Sequence, residues 1–325
     1  MLVDNYNRSF PYLRLSITEV CNFSCSYCLP DGYQKTGNEK SFLTQDEIKR
    51  LVNAFVELGV WKIRLTGGEP TLRSDFTDIA KMIGDMSEVS KLAFTTNGYK
   101  LKDNAQKWRD AGLNAVNISI DSLNAKRFHD ITGHNRMQEV RDGIEKAVEV
   151  GFEDVKINVV LLKGVNDHEL DTFLDYVKDM PVSVRYIELM QTGDNLTYFN
   201  KFHVPADHIK DQLVAKGWVE NIRSVGSGPA VNFTHAEYKG SIGLIAPYSK
   251  DFCTNCNRLR ITSTGDLRLC LFGNVGIPLR HMLQNDEQKD ALKAAIGKQL
   301  DYKASSHFLQ DGDTGIMTNL SSTGG

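Results

Sequence analysis

The sequence predicts an α/β protein built on an incomplete parallel (βα)6 TIM-like barrel. Three observations carry that expectation. Six β-rich runs alternate with amphipathic helical stretches between residues 12 and 189, the rhythm of βα units that lay parallel strands side by side. Six units fall short of the eight that close a barrel, so one side stays open. The rhythm then stops near residue 225, where "RSVGSGPAV" reads as a linker, and the remaining chain holds a hairpin and a helix that can cover the open side. The expected division is 1–225, the partial barrel, and 226–325, a C-terminal extension.

Each element has its own local reason. "YLRLSIT" (12–18) is β-rich and alternating, a strand. "TQDEIKRLVNAFVELG" (44–59) opens with a capping box, Thr44 with Glu47, and stops at Gly59, a helix. "WKIRLT" (61–66) is the second strand, and "GGEP" after it is a turn leading to a helix near 75–86. "KLAFTTNG" (91–98) is a strand and turn, with a helix near 101–111. "AVNISID" (115–121) precedes helices near 124–131 and 136–150, and "DVKINVVLL" (154–162) precedes one near 167–179. "VSVRYIEL" (182–189) is the sixth strand. In the extension, "CNRLRITSTGDLRLCLF" (256–272) reads as two short strands around "STGD", followed by a helix near 286–299. The tail from residue 303 is rich in Ser, Thr, Gly and Asp.

Bulk properties narrow the function. The chain has 325 residues, 41% hydrophobic and 24% charged, with a formal net charge of −3. Nothing in that balance calls for a nucleic acid or an anionic membrane surface. No apolar run of about 18 residues is present, so no membrane span is expected. The N-terminus lacks a basic segment followed by an apolar one, so no signal peptide is expected either. The expected location is the cytoplasm, where disulfides are rare.

The six cysteines fall into two distant groups, Cys21, Cys25, Cys28 and Cys253, Cys256, Cys270. Clustering of this kind points to soft-metal sites. Each group stops at three ligands, which suits a cubic iron–sulfur cluster with one iron left open for a small molecule. A structural zinc ion completed by a distant histidine, His281 for the second group, is the alternative. The first group follows the first strand, at the barrel end where active sites lie. In the second, strand alternation puts Cys256, Arg258 and Arg260 on one face, and Arg268 with Cys270 on one face of the return strand. Leu259, Ile261, Leu267, Leu269 and Leu271 take the opposite faces. Guanidiniums beside open thiolates suggest a phosphate-bearing substrate held next to a second cluster. Arg14, Arg64 and Lys156 are inner-strand cations that would serve the same ligand at the barrel mouth, since a buried cation is costly without a partner. Neither a Walker A motif nor a G-x-G-x-x-G opening a helix occurs, so no P-loop or Rossmann crevice is expected.

C-x3-C-x2-C with Tyr27 before its last cysteine, followed by "GGEP", "TTNG" and "NISID" at later strand ends, resembles the radical S-adenosylmethionine (SAM) enzymes. Two triads with these spacings, "CNRLR" after the second pair and a terminal Gly-Gly resemble, over nearly the whole chain, the GTP 3′,8-cyclases of molybdenum cofactor biosynthesis. The resemblance implies two 4Fe-4S clusters and SAM, whose cleavage at the first cluster gives a 5′-deoxyadenosyl radical. That radical would take the C3′ hydrogen of GTP, and closure onto C8 would give (8S)-3′,8-cyclo-7,8-dihydroguanosine 5′-triphosphate, a lyase reaction. By motif match Tyr27, Gly68, Ser119 and Met190 belong to the SAM pocket. Arg14, Arg64, Thr95, Lys156, Arg258 and Arg260 match GTP contacts, and the guanine end would bind the open iron of the second cluster. Arg268 is added by the hairpin argument alone. The tail, Gly324 and Gly325, would reach into the active site. Implied partners are an electron donor, flavodoxin-like or another reductant, and cyclic pyranopterin monophosphate synthase downstream, with a homodimer possible. The rival readings are a radical SAM maturase acting with an auxiliary cluster on a peptide or other substrate, and a non-catalytic iron–sulfur or zinc module.

Overall fold

The computed structural model describes residues 1–35, 40–222, 226–316 and 320–321. The expected βα units are present as β1 (Tyr12–Thr18), α1 (Gln45–Glu57), β2 (Lys62–Gly67), α2 (Phe76–Gly84), β3 (Lys91–Thr96), α3 (Leu101–Asp110), β4 (Ala115–Ser119), α4 (Ala125–Thr132), α5 (Met137–Glu149), β5 (Asp154–Leu161), α6 (Leu170–Asp179) and β6 (Ser183–Glu188). There follow α7 (Leu196–Phe202), α8 (Asp207–Ala215), β7 (Val219–Glu220), β8 (Val231–Thr234), β9 (Ser241–Ile245), β10 (Arg258–Ile261), β11 (Asp266–Arg268), β12 (Ile277–Pro278) and α9 (Lys289–Gln299). The capping box of α1 forms as read, Thr44 receiving the Glu47 amide and Glu47 the Thr44 amide. Glu47 also binds Arg280 at 2.8 Å, tying α1 to the extension.

Among the described residues twelve strands make one sheet, in the order β12-β11-β10-β1-β2-β3-β4-β5-β6-β9-β8-β7. From β10 to β9 the pairings are parallel. The extension therefore approaches the open side from both ends, β10 adding beside β1 and β9 beside β6. The β10–β11 hairpin expected from 256–272 is antiparallel, with Arg260 opposite Arg268. One apolar core runs through both expected parts: Leu13, Ile63 and Phe94 share it with Ile242, Leu259, Leu267 and Ile296. Along β5 the alternation is clean, Val155, Ile157, Val159 and Leu161 buried behind the sheet and Asp154, Lys156, Asn158 and Val160 half-buried on the inner face. That inner face is largely polar. A barrel interior is ordinarily filled by layers of branched aliphatics, so the polar interior marks a place kept for ligands.

Candidate active site

The first cysteine group lies in the loop that leaves β1, and the turn after β2 shapes it. Gly68 donates its amide to the Thr18 carbonyl at 3.1 Å and Glu69 donates to Val20 at 2.8 Å. A Cβ on Gly68 would stand 2.5 Å from the carbonyl oxygens of Glu19 and Val20, and Gly67 has φ +141°. The glycines thus admit the backbone of the cysteine loop. Glu69, buried, receives the Thr96 hydroxyl at 2.9 Å and the Asn97 amide at 2.6 Å, fixing the end of β2 to the end of β3. Tyr27 donates its hydroxyl to Asp121 at 2.9 Å, and Asp121 receives the Val160 amide at 2.8 Å.

Cys21, Cys25 and Cys28 line a cavity of about 160 Å³ together with Tyr27, Gly68, Thr95, Ser119 and Met190. Leu320 and Ser321 of the tail line it too; Gly324 and Gly325 lie outside the described residues. Burial, followed by the charge of Glu69, pushes the Cys21 thiol up to about 11. Burial and then Cys21 push Cys28 up to about 12, and burial with Asp121, Cys28 and Cys21 raises Cys25 well above its ordinary value. All three cysteines are free of disulfides. Three thiols that repel one another as thiolates, beside two carboxylates, are a donor set that a cationic iron cluster would complete.

A second cavity, of about 540 Å³, occupies the inner face towards the N-terminal ends of the strands. Its walls carry Arg14 from β1, Lys62 and Arg64 from β2, Lys91 from β3, Lys156 from β5, Arg185 from β6, and Arg258 and Arg260 from β10. The parallel register aligns Arg260, Arg14 and Arg64 across three neighbouring strands. Like charges opposite one another destabilise a sheet, and each buried cation costs several kcal/mol. Asp154 is the carboxylate present, held by Lys91 and, at 2.7 Å, by Lys156; burial acts against it, but the two lysines hold its carboxyl well below the usual range. Burial and Arg185 push Lys156 down to about 7. Burial, with neighbouring guanidiniums, lowers Arg14 to about 9 and Arg185 and Arg260 to about 10. The Nε atoms of Arg185, Arg258 and Arg260 are buried with no hydrogen-bond partner. Such a surplus of desolvated positive charge is the complement of a polyanion.

Cys253, Cys256 and Cys270 stand in the same cavity, with His307. Burial raises the Cys253 thiol as it does the first group, but at Cys256 the balance is reversed. Burial raises the Cys256 thiol, but Lys303 and Arg258 outweigh it and bring it down to about 7. Lys303 is itself buried and donates to the Leu269 carbonyl. Arg8 braces the loop by donating to the carbonyls of Cys253 at 3.1 Å, Ser305 at 2.8 Å and Ala304 at 2.7 Å. One thiol of the triad, Cys256, is thus held ready to ionise beside cations, a donor that suits a second cluster. The zinc alternative needs its ligands in one coordination sphere. Its expected fourth ligand is elsewhere: His281 is exposed on a 3-10 turn and does not line the cavity.

Arg14, Arg64, Lys156, Arg258 and Arg260 therefore come together, though inside the sheet and not at its mouth. Thr95 faces the smaller cavity and receives Arg64 Nη1 at 3.4 Å. Arg268 lines neither cavity: it is opposite Arg260 in register, but its Nε lies 3.2 Å from where a Cβ on Gly276 would be. Lys62, Lys91, Arg185, Lys303 and His307 were not singled out from the sequence. The first three were within reach of strand alternation, since Lys62 lies two residues before Arg64; Lys303 and His307 sit in an irregular tail that carries no such signal. The two cavities adjoin, with Asn158, Ile187 and Met190 lining both.

Residues 15–177 match the family model described as Radical SAM superfamily, and residues 182–309 match Molybdenum Cofactor Synthesis C. A protein of Vibrio parahaemolyticus named GTP 3′,8-cyclase is 53% identical over 323 residues, covering 99% of this chain and 97% of that protein. One of Stenotrophomonas maltophilia with the same name is 54% identical over 324 residues, covering 100% and 99%. Among solved structures, Streptococcus suis SuiB bound to S-adenosylmethionine superposes with a TM-score of 0.61 at 15% identity, over 89% of this chain and 68% of that one. That last likeness concerns the fold alone.

Proposed function

The chain belongs to the GTP 3′,8-cyclases, a family of radical SAM enzymes, and from that premise we propose how its residues divide the work. It converts GTP to the 3′,8-cyclo-7,8-dihydro product, an early step of molybdenum cofactor biosynthesis. The single observation that carries the division is the pair of adjoining cavities, one with a cysteine triad and three carboxylates, the other with eight lysines and arginines around one carboxylate.

Cys21, Cys25 and Cys28 would hold the 4Fe-4S cluster, and Tyr27, Gly68, Ser119 and Met190 would hold SAM. When bound, that pair supplies the 5′-deoxyadenosyl radical that removes the C3′ hydrogen of GTP. Glu69 and Asp121 keep the strand ends around SAM in place. Arg14, Lys62, Arg64, Lys156 and Arg185 would bind the triphosphate, neutralising the charge that their own burial makes costly. Arg258 and Arg260 would fix the nucleoside end beside Cys253, Cys256 and Cys270, which would hold a second 4Fe-4S cluster. Ile187 and Met190 form an apolar partition that keeps water from the space between the reacting carbons. The division at residue 225 is in this reading one of clusters, the first part carrying the SAM cluster and the cations for the triphosphate, the second the cluster and arginines for the nucleoside end. The tail ending in Gly324 and Gly325 would cover the SAM side, supported by Leu320 and Ser321 in its cavity wall. The remaining proposals are a flavodoxin-like or other one-electron donor, the cyclic pyranopterin monophosphate synthase as recipient, a possible homodimer and a cytoplasmic location. Among the described residues no helix is long and apolar enough to cross a membrane.

The test is anaerobic. Protein loaded with iron and sulfide, SAM and a strong reductant should form 5′-deoxyadenosine much faster with GTP than without it, and should yield a fluorescent pterin after oxidation. Arg260→Ala should weaken GTP at least tenfold, the range for a charge-assisted hydrogen bond, with iron content unchanged. An unaltered GTP affinity in that variant would remove the arginine row from the substrate site.

A further inference from the structure

The inner face of β5 runs from one cavity to the other. Lys156 lines the cation-rich cavity, Val160 the cysteine cavity, and Asn158 between them lines both. Ile187 and Met190 are also common to the two, but both are apolar. Asn158 is thus the polar side chain, among the described residues, at the place where the two cavities meet. Its register partners are Ser119 on β4, on the cysteine side, and Arg185 on β6, on the cation side. Its Oδ1 is buried and has no hydrogen-bond partner. A buried amide oxygen left unpaired is destabilising and awaits a donor. Of the neighbouring cations, Lys156 is committed to Asp154 at 2.7 Å, and Arg185, whose Nε is likewise without a hydrogen-bond partner, does not reach the amide oxygen.

We propose that Asn158 Oδ1 accepts a hydrogen bond from a ribose hydroxyl of the substrate nucleotide and so holds C3′ facing the SAM cavity, making Asn158 the residue that couples SAM cleavage to product formation. This rests on the reading of the larger cavity as the nucleotide site. The chemistry is that of an O–H donor on a ribose, which both the substrate and SAM possess. The substrate is favoured because a triphosphate held by Lys156 and Arg185, one strand step before Asn158 and one strand over, brings its own ribose to this amide. Hydrogen transfer between carbons depends steeply on approach, so loss of the anchor acts on where the radical goes more than on whether nucleotide binds. Asn158 is a positioning residue and takes no proton or electron itself.

The experiment pairs binding with isotope transfer. With cluster-loaded protein and no reductant, calorimetry compares GTP with its 2′-deoxy and 3′-deoxy analogues. The native protein should prefer GTP over one analogue by about fivefold, the worth of one neutral hydrogen bond, and Asn158→Ala should not discriminate. With reductant and GTP deuterated at C3′, the fraction of 5′-deoxyadenosine carrying deuterium should fall by roughly half or more in Asn158→Ala, and 5′-deoxyadenosine formed per product should rise. Asn158→Asp, which keeps the acceptor, should restore both measures in part and guards against misfolding of the alanine variant. Equal discrimination and equal deuterium transfer in native and alanine proteins would overturn the proposal. Intact discrimination with a raised KM for SAM would overturn it in favour of the SAM ribose. Absence of deuterium transfer in the native protein would instead refute the cyclase reading from which it starts.

Discussion

Tyr12 records the charge imbalance of the larger cavity. Arg64 Nε donates to its hydroxyl at 2.6 Å, and Lys62 Nζ sits 4.8 Å from its ring centroid. Burial would raise this phenol, but Arg64, Arg14 and Lys62 outweigh it and draw it down to about 7. The sign is that of an acid whose anion is stabilised, so the free protein should gain tyrosinate absorbance as pH rises through about 7. A triphosphate would satisfy the same cations and return Tyr12 towards its ordinary value. Adding GTP about one pH unit above that midpoint should therefore abolish the tyrosinate band with uptake of about one proton by Tyr12. Lys156, at about 7, loses its charge over the same range, so GTP affinity should fall with rising pH as well. A Tyr12→Phe variant that leaves the ultraviolet titration unchanged would assign the band elsewhere. At this scale the sequence was legible where chemistry and periodicity agreed, as for the cysteines and for Arg14 and Arg64. Lys62 obeyed the same alternation and was passed over, because a lysine at a strand start reads equally as solvated.

At the scale of the element, the turn after β2 and the loop after β1 are one unit. The carbonyls of Glu19 and Val20 occupy the space a side chain at Gly68 would need. Gly68→Ala should push the loop carrying Cys21, Cys25 and Cys28 out of position and leave the second triad as it is. The expected result is loss of roughly half the iron, with one of two cluster signals remaining; iron analysis with Mössbauer spectroscopy reads both. Full iron content would show that the loop tolerates the displacement. The six βα units were readable because their helices carry an apolar face and their strands alternate. The elements between β6 and the hairpin were not. Helix α7 is seven residues long and fully buries none of them; its stripe of Tyr198, Phe199 and Phe202 packs only half-buried and is too short for a helical period to show. Strand β9 is short and carries Gly243 amid glycine and proline punctuation, which reads as loop.

At the scale of the molecule, the chain divides by chemistry but not by packing. The βα rhythm of the sequence stops before residue 225, yet β9 completes the edge of β6 and β10 the edge of β1. Without them both edges of the six-strand sheet would present unpaired backbone to water. Leu244, Leu259, Ile261 and Ile296 belong to the core that Leu13 and Phe94 build, and Arg8, near the N-terminus, is spent on the carbonyls of Cys253, Ala304 and Ser305. A boundary crossed by two parallel strand pairings, a shared core and these hydrogen bonds does not separate two folding units. The chain should therefore unfold in one step despite its length. Calorimetry of protein stripped of iron, so that cluster loss adds no step of its own, should show a single endotherm whose calorimetric and van't Hoff enthalpies agree. A fragment ending at residue 225 should fail to give a cooperative transition at all. Two resolved endotherms, or a fragment that melts cooperatively, would mean that the partial barrel stands alone and that the C-terminal strands dock onto a finished sheet. In that event GTP could be presented by a movement of one part against the other; a single transition would tie the larger cavity's cations to the strands proposed to carry SAM.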